Sequence, residues 1–228
     1  MVTNLAQALR LLLITDDRLL AGRDVVSVCR AAVAGGVTAV QLRLKNAAPR
    51  ELVELARALR SAVSVPILIN DRLDVALAAG ADGVHLGPED LPVALARRIV
   101  PAGFVIGASV GLAEEAVNGL GADYWGVGPL RTTLTKPGAR AALELAGFRQ
   151  IVAIAPKGTP CVAVGGVRPE DVRGVREAGG AGVAVVNGIL GAEDPAAAAA
   201  GYLTSRSRPS DSSPAGPGSR AGGRDRSG

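Results

Sequence analysis

The chain has 228 residues, 48% of them hydrophobic but only 2% aromatic, and a formal net charge of +4. That length suits one α/β barrel, and that composition supplies a sizeable core of Ala, Val, Leu and Ile. The charge marks no nucleic-acid surface: five arginines and two aspartates at 206–228 hold three of the four net positive charges, and five aromatic side chains in the whole chain make no stacking platform.

The elements alternate along the chain. Short apolar runs at 11–15, 39–44, 66–70, 83–86, 104–108, 124–127, 161–164 and 182–186 predict eight strands. Helical patterns follow them in turn at 24–34, 49–62, 72–79, 91–100, 113–120, 139–148, 169–178 and 195–203. The strand runs are continuously apolar, which means burial on both faces and a parallel sheet. Eight such units close into a (β/α)8 TIM barrel, read here as a single domain over 1–205. A doubly wound open sheet is the alternative, and it requires a reversal of strand order that a sequence does not display. Helices ending at Gly35-Gly36, Gly80, Gly121 and Gly179-Gly180 have the residue that permits a left-handed C-cap.

The segment 206–228 changes abruptly to Arg, Ser, Pro, Gly and Asp with no Leu, Val or Ile, a composition that predicts a disordered tail. Deleting it is expected to leave Tm and catalysis nearly unchanged; thermal denaturation and an activity assay of the truncated chain check this, and a drop of several degrees would show that the tail docks.

No apolar stretch reaches the ~18 uncharged residues that span a bilayer. The N-terminus lacks a charged lead with a small-residue cleavage site. Cys29 and Cys161 lie far apart in apolar surroundings with no CxxC, so both are expected to be buried thiols of a cytoplasmic protein. The reading is of small-molecule substrates, with neither nucleic acid nor membrane as partner and the oligomeric state open.

In a barrel, polar residues at the C-terminal strand ends read as functional. Gln41, Arg43 and Lys45 alternate, so at strand period they share one face. An unpartnered charge pointing into a barrel is costly, and an anionic ligand such as a diphosphate supplies the partner. Asn70 and Asp71 end the third strand and Asp90 follows the fourth. Two hard carboxylates suit Mg2+, which keeps waters and shares substrate phosphates. The bland reading is an internal ion network of Arg43 and Lys45 with Asp71 and Asp90. Ser109 ends the fifth strand, and Thr133, Thr135 and Lys136 lie on the loop after the sixth. Gly165-Gly166 follows the seventh and Val186-Asn187-Gly188 the eighth, where barrels often bind phosphate. His85, the one histidine, reads as a hydrogen-bonded core residue, since no second His or Cys is spaced to share a metal. Tyr124 and Trp125 read as packing.

The ordered series resembles the thiamine-phosphate synthase family: QLRLK at 41–45, Asn70-Asp71 after ILI, ADGVHLG at 81–87 with Asp90, Gly107-Ala108-Ser109, GADYWGVGP at 121–129, T-x-T-K at 133–136 and the Gly165-Gly166-Val167 turn. The resemblance runs over about 11–203. It implies that 4-amino-2-methyl-5-(diphosphooxymethyl)pyrimidine condenses with a thiazole phosphate to give thiamine phosphate and diphosphate. It further implies that Gln41, Arg43, Lys45, Asn70, Ser109 and Lys136 hold the pyrimidine diphosphate, with Arg43, Lys45, Ser109 and Lys136 catalytic. Asp71 and Asp90 would hold Mg2+, and Thr133, Thr135, Gly166, Val186 and Asn187 the thiazole phosphate. The family's chemistry is dissociative and needs no protein nucleophile, which fits a site rich in charge clamps.

The sequence departs from the family pattern at Pro88 (usually Gln), Gly111 (often His), Arg131-Thr132 (an aromatic/small pair), Pro137-Gly138 and Asn187 (usually Ser), and these changes bear on the thiazole side. Two rivals are a thiazole tautomerase working through a histidine and a non-catalytic barrel sensing phosphorylated metabolites. Gly111 weakens the first, and the full set of cation and Mg2+ positions weakens the second.

Overall fold

A computed structural model describes residues 4–20, 22–132 and 141–204. The expected segments 133–140, with Thr133, Thr135 and Lys136, and the tail 206–228 lie outside the described residues.

Eight parallel strands close in sequence order: β1 Leu11–Ile14, β2 Ala39–Leu42, β3 Ile67–Asn70, β4 Gly83–Leu86, β5 Val105–Val110, β6 Tyr124–Val127, β7 Cys161–Val164 and β8 Gly182–Val185. Pairing of β8 with β1 through Val183 and Leu11 completes the barrel and removes every sheet edge. Around it stand α1 Leu5–Ala8, α2 Asp17–Leu20, α3 Val25–Ala34, α4 Pro49–Ala62, α5 Leu73–Ala79, α6 Val93–Arg97, α7 Glu144–Ile154, α8 Asp171–Glu177, α9 Asn187–Leu190 and α10 Pro195–Thr204. Local signals start and stop them: the Asp24 carboxylate caps α3 at Ser27 N–H (2.8 Å), Pro49 opens α4, and Gly80 closes α5 in the left-handed conformation at φ 67°.

The continuous apolar strands divide as a barrel requires. Leu12, Ile14, Ala39, Leu68, Val105, Tyr124, Val162 and Ala184 fill the interior. Their neighbours Leu11, Leu13, Val40, Ile67, Ile69 and Trp125 pack outward on the helices. Tyr124 needs room, and Gly107 provides it: a Cβ there would stand 2.2 Å from the Tyr124 ring. Gly107→Ala is expected to destabilise the barrel by about 1–3 kcal/mol, read as a lower Tm.

Two expected helices differ. Residues 113–120 form not an α-helix but a 3-10 helix, Ala113–Gly119, because the Trp125 indole lies against its last turn and donates from Nε1 to the Gly119 carbonyl at 2.9 Å. The helix expected at 139–148 runs Glu144–Ile154 instead. Leu143 and Glu144 N–H donate back to Pro129 and Leu130 carbonyls (2.9 and 3.0 Å), so the chain is still tied to the loop after β6 at that point. Burial of Phe148 and Ile151 then carries the helix onward. Short α1, α2 and α9 carried no periodic signal. Both cysteines are free and buried, as expected. Burial pushes Cys29, with Asp24 adding to the rise, up to about 12 and Cys161 to about 11, so neither offers a thiolate near neutral pH. No helix among the described residues is long and apolar enough to cross a membrane.

Candidate active site

The C-terminal ends of β1 to β5 gather the charged residues. β2 climbs out of the barrel, so Gln41 is buried, Arg43 half-buried and Lys45 exposed. Thr15, just past β1, holds Arg43 in line: its Oγ1 accepts the Arg43 N–H at 2.8 Å. Arg43 does not pair with Asp71 or Asp90 as an internal network would require. Its Nη1 meets Asp16 Oδ2 at 2.7 Å, and Asp16 is buried. Asp17 accepts from the Asn46 N–H and side-chain amide, tying the loop after β2 to the end of β1. Thr15 and Asp16 were legible only as the polar stop of the first apolar run.

Register places Asn70 beside His85, and Leu42 beside Ile69, so Arg43 and Asn70 leave adjoining strands. A pocket of about 250 Å3 opens here, lined by Arg43, Lys45, Asn70, Asp71 and Arg72 over Leu42, Leu44, Ala47 and Leu52. Asp71 adopts a left-handed backbone at φ 63°, uncommon outside glycine, with its N–H held by the His85 carbonyl at 2.8 Å. Its carboxyl is pushed up to about 6 by burial, then by the neighbouring Asp90 carboxyl within hydrogen-bonding reach, against the pull of Lys45 and Arg43. Asp90 is fixed in turn by the Gly87 N–H, at 2.6 Å. Sequence reasoning paired these two aspartates, and the fold brings them together. Among the described residues no group of three His, Cys, Asp or Glu side chains forms a fuller cage.

Deeper in the barrel lies a polar centre that the sequence did not disclose. His85 Nδ1 stands 2.9 Å from the Tyr124 hydroxyl and Nε2 3.0 Å from Ser109 Oγ. His85 is therefore hydrogen-bonded, as expected, but half-buried and joined to a site residue. Tyr124 packs the interior, as read, and adds a hydroxyl. Burial raises its phenol above the usual range, with Gln41 near enough to work against that rise. Yet the buried Gln41 Nε2 has no hydrogen-bond partner among the described residues, an uncommon state for a buried amide and one that a ligand acceptor relieves.

Across the mouth, among the described residues, the ends of β7 and β8 present backbone. Gly165 and Gly166 turn in left-handed conformations (φ 87° and 66°), and the Gly166 N–H donates to no described residue. Val164 pairs with Ala184, which sets this turn beside Val186 and Asn187 at the end of β8.

The chain matches the family described as thiamine monophosphate synthase over residues 11–189. It is 46% identical over 192 residues to a thiamine-phosphate synthase of Syntrophomonas wolfei, covering 81% of this chain and 90% of that one. A thiamine-phosphate synthase of Chloroflexus aurantiacus is 44% identical over 198 residues, covering 83% and 89%. Among solved structures, a thiamine phosphate pyrophosphorylase from Pyrococcus furiosus superposes with a TM-score of 0.78 at 40% identity, over 88% of this chain and 96% of that one. With a family match across the whole strand series and relatives of this identity over four-fifths of its length, the chain belongs to the thiamine monophosphate synthase family.

Proposed function

We propose that this barrel is a Mg2+-dependent transferase of thiamine biosynthesis that joins 4-amino-2-methyl-5-(diphosphooxymethyl)pyrimidine to a thiazole phosphate. The observation that carries the reading is the two-signed mouth: Asp71 lies within hydrogen-bonding reach of Asp90 and shares a pocket with Arg43 and Lys45, both close enough to act on its charge. Two oxygen-only ligands with open surroundings fit Mg2+, which would neutralise charge on the departing diphosphate. Arg43 already spends one guanidinium nitrogen on Asp16, so its remaining donors face the ligand in a fixed direction. Lys45 and Asn70 add donors from neighbouring strand ends, and Lys136 supplies a further cation to the leaving group.

The pyrimidine stacks deeper, where Gln41 Nε2 awaits an acceptor. With the Tyr124 hydroxyl donating to His85 Nδ1, the ring proton sits on Nε2 and is donated to Ser109 Oγ, so the Ser109 proton turns to the substrate. The methylene–oxygen bond breaks first, and the thiazole nitrogen then bonds to the methylene carbon. Gly166, Val186 and Asn187 backbone groups, with Thr133 and Thr135, hold the thiazole phosphate across the mouth. Buried free thiols support a cytoplasmic setting. The tautomerase reading is weakened by Gly111, which supplies no side chain where that chemistry would draw on a histidine after the fifth strand; the His85 imidazole near that strand end is engaged by Ser109 and Tyr124. Incubation with both substrates and Mg2+ should release diphosphate; finding none would sink the proposal.

A further inference from the structure

Arg131 is not among the ligand-holding residues, yet it touches both ends of the turn that follows β7. At one end its N–H donates to the Gly165 carbonyl at 3.0 Å, continuing the pairing of Leu130 N–H with the Val164 carbonyl at 2.8 Å. At the other end its guanidinium grips Asp171 through Nε–Oδ2 at 2.8 Å and Nη2–Oδ1 at 2.5 Å. The Asp171 carboxylate also accepts the Arg168 N–H at 2.9 Å, so one arginine closes a ring around residues 165–171. The contact is tight in the middle as well: a Cβ on Gly166 would stand 2.8 Å from Arg131 Cβ and 3.1 Å from the Arg131 and Thr132 carbonyl oxygens.

The two partners are unequal. The Asp171 side chain is 5% exposed and that of Arg131 44%. A buried carboxylate demands a partner, and this one draws its partner from another loop. Burial pushes the Asp171 carboxyl up, but the bonds from Arg131 and Arg168 outweigh this and hold it below its ordinary value. The enclosed turn contains two glycines in left-handed conformations, a backbone that is otherwise costly to hold in one shape.

We infer that Arg131 and Asp171 are positioning residues: their bidentate pair latches the loop leaving β6 onto the turn leaving β7 and so presets the Gly166 N–H for the thiazole phosphate. The inference rests on the functional reading above. Preorganising the turn lowers the cost of ordering it around the anion, so the latch acts on binding of one substrate. Asp171 also caps the turn through Arg168 N–H, and Arg131→Met removes the latch while leaving that cap in place.

Arg131→Met should raise the thiazole-phosphate Kd, measured by calorimetry on the full chain, and its KM about tenfold, with the pyrimidine KM and the saturated kcat within about twofold of wild type. Asp171→Asn keeps an acceptor for Arg168 and should act in the same direction, and the double variant should be no worse than the more affected single one. An unchanged Kd in Arg131→Met would overturn the latch, leaving a surface ion pair. Equal rises in both KM values would overturn it too, as a purely structural role, whereas a lower Tm is expected of Arg131→Met on either reading because the buried Asp171 loses its partner. Failure of the wild-type chain to bind thiazole phosphate would instead overturn the functional reading on which the latch stands.

Discussion

Asp71→Asn is expected to lower kcat at limiting Mg2+ by about a hundredfold or more, the loss that follows when a few kcal/mol of charge stabilisation are removed from a transition state. Asparagine is the informative replacement. It tolerates the left-handed backbone that residue 71 adopts, keeps an oxygen acceptor and removes only the charge. Because Asp71 and Asp90 lie within hydrogen-bonding reach, their carboxylates repel each other when no cation stands between them. The variant should therefore keep its Tm or raise it while losing activity. Raising Mg2+ should recover part of the rate, so turnover titrated against Mg2+ is the measurement. Full activity of Asp71→Asn at limiting Mg2+ would refute the metal assignment. Asp90→Asn should follow in activity, with added disturbance of the turn that its carboxylate holds through Gly87.

Arg43→Lys should cost about a hundredfold in kcat/KM for the pyrimidine diphosphate, because an ammonium is a point charge and does not grip Asp16 and an anion in one rigid fork. The choice of lysine matters here as well. Arg43→Ala would strand a carboxylate that is 5% exposed, and breaking such a buried pair costs about 3–5 kcal/mol of stability, confusing folding with catalysis. Lysine keeps a positive charge beside Asp16, so Tm should fall little. The thiazole-phosphate KM should stay near its wild-type value, since that substrate is assigned to the opposite side of the mouth. Steady-state kinetics with each substrate varied in turn decide the matter. Wild-type kcat/KM in Arg43→Lys would reduce Arg43 to the counter-ion of Asp16.

These two residues also show how differently the parts of the site were written into the chain. Asp71 and Asp90 were legible as a pair because both follow apolar strands, where a carboxylate has no packing role and the C-terminal end of the barrel is its natural place. Gln41, Arg43 and Lys45 were legible for the same reason, by their period of two. The eight strands were legible because continuous apolar runs of four to six residues, each bounded by polar or glycine signals, must be buried on both faces. Helix ends followed less faithfully: α7 begins at Glu144, where Leu143 and Glu144 are still hydrogen-bonded to Pro129 and Leu130, ties that no local pattern announces.

What tertiary structure alone decided is which strand end meets which. Asp16 and Arg43 are 27 residues apart, Tyr124 and His85 39, His85 and Ser109 24, and Arg131 and Asp171 40. Periodicity tells which face a side chain takes, whereas barrel register sets how far up each strand it stands and who faces it. So the sequence by itself determined the barrel, its family and the side chains offered at the mouth. Closure determined that Arg43 is held by Asp16 and not by the aspartate pair, and that Asp71 and Asp90 stand within reach of each other. Register likewise determined that Tyr124, read as packing, and His85, read as a hydrogen-bonded core residue, stand in line behind Ser109, because β4, β5 and β6 pair side by side with these residues at neighbouring levels.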